Sequence, residues 1–326
     1  MQIYRKIGET QLKVPRFGFG SAPIGNLYSE IPETEAIETI RYALQAGINF
    51  IDTAPHYGAG LAEERIGLAL QGVDRDRYII ETKVGRLIDS DGQQIYDYSH
   101  DGVMKSLEAS LKRMDVEYVD SILIHDPDIG APSTQYIIEE TFPAIAELKR
   151  QGIVKAIGVG INYPEMLLDL VKSTDFDCFL LAGRYTLLEQ TALNALNTFK
   201  DRKISVLAAG VFNSGILATG TRSGVPTHFQ YKAASSGIIE RVQKIEAVCV
   251  KFSIDLPAAA IQFTAAHPAI TSLIIGMDKK QQIDSAFTYS QQSIPEAFWL
   301  ELRDRHLIDA NAPLPLSPTT NSSANN

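Results

Sequence analysis

The chain has 326 residues, 45% hydrophobic and 21% charged, with a formal net charge of −9. That length buries a core without disulfides or metals, and mild acidity with no basic run of five or more residues argues against a nucleic-acid groove. No stretch approaches the roughly 18 apolar residues of a membrane span, and MQIYRKIGET lacks a charged-then-apolar leader, so the expectation is a cytoplasmic protein.

In chain order, residues 2–14 (QIYRKIGETQLKV) predict a small β-hairpin around Gly8 and Glu9. Short apolar strands then alternate with helix-length segments. The strands are RFGFG (16–20), INFID (48–52), YIIETKV (78–84), DSILIHD (120–126), VKAIGVG (154–160), FDCFLLA (176–182), ISVLAAG (204–210) and SLIIG (272–276). The helical patterns include ETEAIETIRYALQAG, HDGVMKSLEASLKRMD, GIIERVQKIEAVCVKFS and KKQQIDSAFTYSQQ, with Gly47 and Gly152 at expected helix C-termini. Such alternation predicts a parallel sheet with right-handed crossovers. Eight strands, no composition shift and no linker predict one (β/α)8 TIM barrel over residues 1–310, with a doubly wound sheet as the alternative.

Two stretches break the rhythm. Residues 85–99 read as irregular, and residues 211–236 as a long Gly/Ser/Thr-rich loop of the kind that covers or binds ligands. Residues 311–326, ending PLSPTTNSSANN, predict a polar, disordered tail. Cys178 and Cys249 lie in apolar runs without a cysteine at metal or redox spacing, and read as buried free thiols.

In a barrel all strands end at one mouth, where chemistry sits. The stretch GINFIDTAPHYGAG (47–60) brings Asp52 and Tyr57 there. Neighbouring strand ends add Lys83 and His125, so three consecutive strands supply four acid–base groups. Singly, each has a structural reading: Asp52 caps a turn, Lys83 makes a rim ion pair, His125 serves a turn. Together they favour catalysis. An ordinary tyrosine titrates near pH 10. A neighbouring ammonium favours the phenolate, so Lys83 is expected to lower the pKa of Tyr57, with Asp52 fixing the lysine and His125 polarising a carbonyl. Gly18-Phe19-Gly20 and Gly158-Val159-Gly160 lack a third glycine in register, and Pro23 interrupts the first, so neither is a Rossmann fingerprint.

GFGSAPIG, INFIDTAPHYGAGLAEERIGLAL, ETKVG, SLEASLKRMDVEYVDSILIHDPD, LKRQGIVKAIGVG and GILATG resemble the aldo-keto reductases, over residues 3–310. The resemblance implies a barrel that binds a nicotinamide cofactor without a Rossmann domain, with Asp52, Tyr57, Lys83 and His125 as its catalytic tetrad. GVGIN and LLAGRYTLLEQ are most similar to the aldose (L-fucose or D-threo-aldose) 1-dehydrogenases, with pyridoxal and L-galactose dehydrogenases near them.

The family pattern places Gly20, Ser21 and Asp52 beside the nicotinamide ribose and Tyr185 against its ring. The Ser-Asn pair that many relatives use on the nicotinamide amide is replaced by Gly160-Ile161-Asn162, so Asn162 is expected to serve from a shifted position. Gly210, Phe212, Asn213, Ser214, Gly215 and Leu217 would cover the pyrophosphate. IIGMDKKQQIDSA brings Gly276, Asp278 and Gln282 to the adenosine end. Asp278 stands where NADP-dependent relatives often carry a cation, so NAD is expected over NADP, with Lys279 and Lys280 as partial compensation. Expected substrate contacts are Tyr57, His125, His56 and Arg184, and Arg86, Asp126, Tyr96 and Tyr98 are further polar candidates.

The implied reaction is oxidation of a free aldose at C1 to the lactone, with Tyr57 as general base. NADPH-dependent carbonyl reduction, pyridoxal 4-dehydrogenation and a non-catalytic regulatory subunit are the alternatives. The expected partner is a small sugar or aldehyde, with no nucleic acid, membrane or metal, and the sequence carries no signal of oligomeric state. Trp299 is expected to pack the last helix; His100, His228, His267 and His306 read as surface or capping residues.

Overall fold

Eight apolar runs close into a parallel barrel in the computed structural model, which describes residues 3–315 except 28, 90, 223, 225 and 226. Its strands are β1 (Phe17–Gly20), β2 (Phe50–Asp52), β3 (Ile79–Val84), β4 (Ser121–His125), β5 (Ala156–Ile161), β6 (Cys178–Ala182), β7 (Ser205–Ala209) and β8 (Ile270–Gly276). Each pairs in parallel with its sequence neighbours, and β8 pairs with β1 to close the ring. Nearly every strand residue is buried, as expected when a sheet is covered by side chains inside and by helices outside. The fold is a (β/α)8 TIM barrel.

The helices of six residues or more are α1 (Glu33–Gln45), α2 (Leu61–Leu70), α3 (His100–Met114), α4 (Phe142–Arg150), α5 (Glu165–Leu170), α6 (Leu193–Asp201), α7 (Ser236–Phe252), α8 (Leu256–Ala266), α9 (Lys280–Gln291) and α10 (Glu296–Asp304). Their starts follow local chemistry. The Ser99 hydroxyl accepts from the Gly102 N–H at the head of α3, and Ser235 does the same for α7. Buried Glu63 on α2 ties two layers together, accepting from the Thr82 hydroxyl on β3 and from Arg113 on α3, both at 2.7 Å. Trp299 is fully buried on α10, and both cysteines are buried and free.

The two ends of the barrel differ. At the strand N-termini, a hairpin of Tyr4–Lys6 and Lys13–Pro15 brings Ile7, Leu12 and Val14 against Phe50, Leu123, Cys178, Leu207 and Ile274 of the barrel interior. The Gly8 N–H donates to Ser205 Oγ at the start of β7 (2.9 Å), which pins the hairpin there. Apolar packing closes that end, so a ligand enters only at the strand C-termini.

Four expectations change. Residues 85–99 contain a hairpin, Arg86–Ile88 with Gln94–Tyr96, rather than irregular chain. Residues 211–236 contain a short helix, Ile216–Thr219, and a second hairpin, His228–Phe229 with Lys232–Ala233. Helix α8 has no counterpart among the amphipathic patterns because its Ala-rich run is apolar on all sides and almost wholly buried. His267, expected at the surface or as a cap, is fully buried and accepts from the Ala269 N–H in the turn after α8. Of the predicted tail, residues 316–326 lie outside the described residues. Ala312 is buried, and its carbonyl accepts from Arg303. Among the described residues no single helix is long and apolar enough to cross a membrane, and no cluster of metal-ligating side chains occurs.

Candidate active site

Strand register sets the site. Asp52 at the end of β2 pairs with Glu81 on β3, so Lys83 lies two residues further along, on the same face, and reaches the Asp52 carboxylate. Lys83 Nζ donates to Asp52 Oδ1 at 2.5 Å and to the Thr53 carbonyl at 2.8 Å, and both charged groups are buried. Tyr57 follows in a tight turn. Gly58 has φ +66°, and a Cβ there would meet the Gly25 carbonyl oxygen at 2.3 Å, so only glycine lets the turn close and present the tyrosine. The Lys83 ammonium lies 4.9 Å from the Tyr57 ring centroid, and the Tyr57 and His125 rings meet edge-to-face at 5.8 Å. All four residues line a cavity of about 810 Å³ at the barrel mouth.

The electrostatics correct one expectation. Burial raises the pKa of Tyr57 above the ordinary phenol value, and the pull of Lys83 offsets only part of that shift. The free enzyme therefore holds Tyr57 protonated. Burial also disfavours the ammonium of Lys83, but Asp52, Tyr57 and Glu81 outweigh it and the lysine stays charged. His125 is held well below the usual histidine pKa by burial and by Lys83, Arg86 and His56, so its ring is neutral and acts as a hydrogen-bonding group. Below the pair, Glu81 is fully buried, accepts from Ser121 Oγ at 2.7 Å, and leaves Oε1 without a partner. Burial pushes its carboxyl up to about 8, with the Asp52 charge adding to the shift. Period-two alternation from Lys83 was the signal that could have found it.

A second polar group stands beside the tetrad. Arg86 donates to Asp126 Oδ2 through Nη1, and its Nη2 lies 2.6 Å from His56 Nε2. Gln94 donates to the His56 carbonyl, and the Tyr98 hydroxyl donates to the carbonyls of His125 and Asp126. His56, Arg86, Gln94 and Asp126 all line the cavity. Burial, with Arg86, holds His56 at about 4, so it too is neutral.

The opposite wall is made by loops after β5 to β8. Gly20, Asn162, Gly210, Phe212, Ser214, Gly215, Gly276, Asp278 and Gln282 line the cavity as expected. Five other residues do not. Gly183, at φ +72°, turns the chain away after β6. Tyr185 consequently stacks on Phe263 of α8, with ring centroids 5.5 Å apart, instead of facing the mouth. Arg184 is buried in an ion pair with Glu189 and lies over the Tyr163 ring. Asn213 spends its amide on Gly183 and Thr186, which holds the loop but keeps the side chain off the cavity wall. Leu217 is core, and Ser21 lies behind the wall with its N–H on the Asp52 carbonyl. Tyr231, at the tip of the second hairpin, lines the cavity instead, with its N–H on Ser214 Oγ. Nothing in the loop sequence marks it.

This wall fits a nicotinamide dinucleotide. Gly20 lets backbone approach backbone, since a Cβ there would sit 3.2 Å from both the Gly276 nitrogen and Ile274 Cγ2. Asn213, Ser214 and Gly215 all have positive φ, a turn whose peptide groups suit anions. Asp278 keeps Oδ1 buried without a partner, as an acceptor for a hydroxyl would. Gln282 fixes this corner, its Oε1 accepting from the N–H groups of Asp278 and Lys279.

A polar tetrad at the open end of an eight-stranded barrel, beside a dinucleotide-sized cavity, defines an oxidoreductase site. The chain belongs to the aldo/keto reductase family, whose model matches residues 16–304. It is 33% identical to D-threo-aldose 1-dehydrogenase of Pseudomonas sp. over 319 residues, covering 91% of this chain and 95% of that protein. It is likewise 33% identical to pyridoxal 4-dehydrogenase of Microbacterium luteolum, covering 93% and 97%. L-Galactose dehydrogenase of Arabidopsis thaliana is 32% identical, covering 86% and 85%. In fold, an aldo-keto reductase from Bacillus halodurans in its holo form superposes with a TM-score of 0.77 at 23% identity, covering 98% of this chain and 99% of that one. Aldo-keto reductases use NAD(P)H.

Proposed function

We propose that this enzyme oxidises a free aldose at C1 to the lactone, with NAD as the preferred cofactor. A nicotinamide cofactor, when bound, supplies the hydride acceptor. The chain's own residues handle the proton and the charge. Tyr57 is the group that exchanges a proton with the C1 oxygen. The free-enzyme Tyr57 is protonated, so oxidation requires its proton to leave first, and the positive charge of Lys83 favours that loss. Asp52 keeps the lysine charged and aimed. Neutral His125 hydrogen-bonds the same oxygen without competing for the proton. With an aldehyde as substrate, the protonated Tyr57 would instead donate to the carbonyl oxygen as the alcohol forms. Gly20, Asn162, Phe212, Ser214, Gly215, Gly276 and Gln282 would hold the cofactor.

The observation that carries the reading is the cluster itself. Tyr57 is flanked by the Lys83–Asp52 pair and by His125, with a strongly polar wall of His56, Arg86, Gln94 and Asp126 beside it. Such a wall suits a polyhydroxylated substrate better than an apolar aldehyde. The similarity to D-threo-aldose 1-dehydrogenase supports the same choice. The NAD preference rests on Asp278, whose carboxylate would repel a 2′-phosphate and accept from a ribose hydroxyl. Of the two compensating cations, Lys280 is paired with Glu38 at 2.7 Å, whereas Lys279 has no ion pair among the described residues.

The test is a screen of L-fucose, D-arabinose and L-galactose with NAD and with NADP, following reduced-cofactor absorbance. Robust oxidation with NAD supports the reading. Activity confined to aldehyde reduction with NADPH would replace it with carbonyl reduction, and cofactor binding without any turnover would point to a regulatory subunit.

A further inference from the structure

Asp126 has an unusual position for a carboxylate. It directly follows His125, in a left-handed backbone conformation (φ +43°) that swings its side chain back toward the histidine ring. Its Oδ2 lies 3.5 Å from His125 Nε2 and takes the hydrogen bond from Arg86. Its Oδ1 accepts no hydrogen bond among the described residues, although the residue lines the cavity. The surroundings hold the side chain in place. Arg86 is anchored on one side by His56 and lies over the Tyr96 ring, with 5.5 Å from guanidinium carbon to centroid. Tyr98 fixes the Asp126 carbonyl from below. A mostly buried ion pair is therefore clamped one hydroxyl group's reach from the ring that contacts the reacting oxygen.

Resting on the carbonyl–alcohol chemistry proposed above, we infer that Asp126, oriented by Arg86, reads a hydroxyl on the carbon adjacent to the reacting carbon. The substrate class is thus α-hydroxy carbonyl compounds and aldoses with a free 2-hydroxyl. A carboxylate is acceptor-only when ionised, so its open oxygen demands a donor. A substrate hydroxyl at that carbon supplies one. A methyl group at the same place strips water from the carboxylate and returns nothing, which is why sites built around a substrate hydroxyl reject analogues lacking it far more strongly than apolar pockets reject an extra methylene. Arg86 is already committed to Asp126 and His56, so the geometry assigns it to holding the reader in place.

The decisive comparison uses two aldehydes of nearly equal size, glycolaldehyde and propanal, which differ by a hydroxyl in place of a methyl. Each is reduced with NADH by the full-length enzyme, with rates referred to the free carbonyl form. The native enzyme is expected to favour glycolaldehyde by at least about tenfold in kcat/KM. In Asp126→Ala the ratio of the two aldehydes should fall toward one, and because it is a ratio, any general loss of activity cancels. In Arg86→Met the ratio should fall part of the way. Equal efficiencies in the native enzyme would overturn the inference without any variant, as would an unchanged ratio in Asp126→Ala. If neither aldehyde is turned over while an aldose is oxidised, the inference falls and the redox reading stands; if no aldose is oxidised either, the redox reading falls with it.

Discussion

The β2–β4 side of the mouth is organised by buried charge, whereas the β6–β8 side is organised by glycine turns. On the first side, Asp52, Lys83 and His125 are held by an ion pair, a backbone carbonyl and ring contacts, and a single glycine turn at Gly58 brings Tyr57 to them. On the second side, positive-φ turns at Gly210, Asn213, Ser214 and Gly215 shape the wall, and the neighbouring side chains mostly serve the loop itself. The difference teaches which substitutions should matter. Chemistry concentrated in a few buried groups is fragile to single changes, while a wall of backbone tolerates them.

The largest expected effect is at the centre of the charged side. Lys83→Met removes the cation that favours ionised Tyr57 and leaves Asp52 buried and unpaired. Turnover should fall by about 10²–10⁴-fold, and stability by about 3–5 kcal/mol, as read by steady-state kinetics and chemical denaturation. Near-native turnover would erase the distinction between the two sides. A smaller effect is expected at the adenosine end, where Asp278→Arg should shift the NAD-to-NADP efficiency ratio by at least about tenfold toward NADP, since a guanidinium pairs with phosphate where a carboxylate repels it. An unmoved ratio would remove Asp278 from cofactor selection.

Two subtler changes sharpen the contrast. Glu81→Gln probes stored charge below the tetrad. Because the folded carboxyl titrates near 8, far above an unfolded glutamate, native stability is undiminished at low pH and declines as pH rises from the unfolded value through about 8. The variant escapes that decline, so its Tm advantage should widen from pH 4.5 to pH 8 and then level off; an advantage constant with pH would contradict this account. The smallest effect is expected at Tyr185, whose hydroxyl is buried without a partner against α8. Tyr185→Phe should leave kcat and NADH affinity within about twofold and be neutral or slightly stabilising. A large rise in the NADH Kd would put Tyr185 back at the nicotinamide.

The same contrast runs through what the amino-acid sequence alone discloses. The barrel was legible because each strand is an apolar run of nearly fixed length between amphipathic helices. The clustering of Asp52, Tyr57, Lys83 and His125 was legible because they sit at strand ends or in the turn just beyond one, where chain position fixes location in space. Tyr185 and Arg184 were misplaced because one glycine torsion at Gly183 decides whether the chain continues along the mouth or leaves it. Helix α8 escaped because an all-apolar helix has no periodic face. The lowered pKa expected for Tyr57 failed for a different reason: proximity to Lys83 was readable, but the burial that outweighs it was not.

The most direct test of the central claim is Tyr57→Phe, which removes a single oxygen from the mouth. NADH affinity by fluorescence titration should stay within a few-fold of native, while NAD-dependent oxidation of the best aldose falls by about 10²–10⁴-fold. Native-like turnover in this variant would contradict Tyr57 as the proton-exchanging group and with it the account of the site.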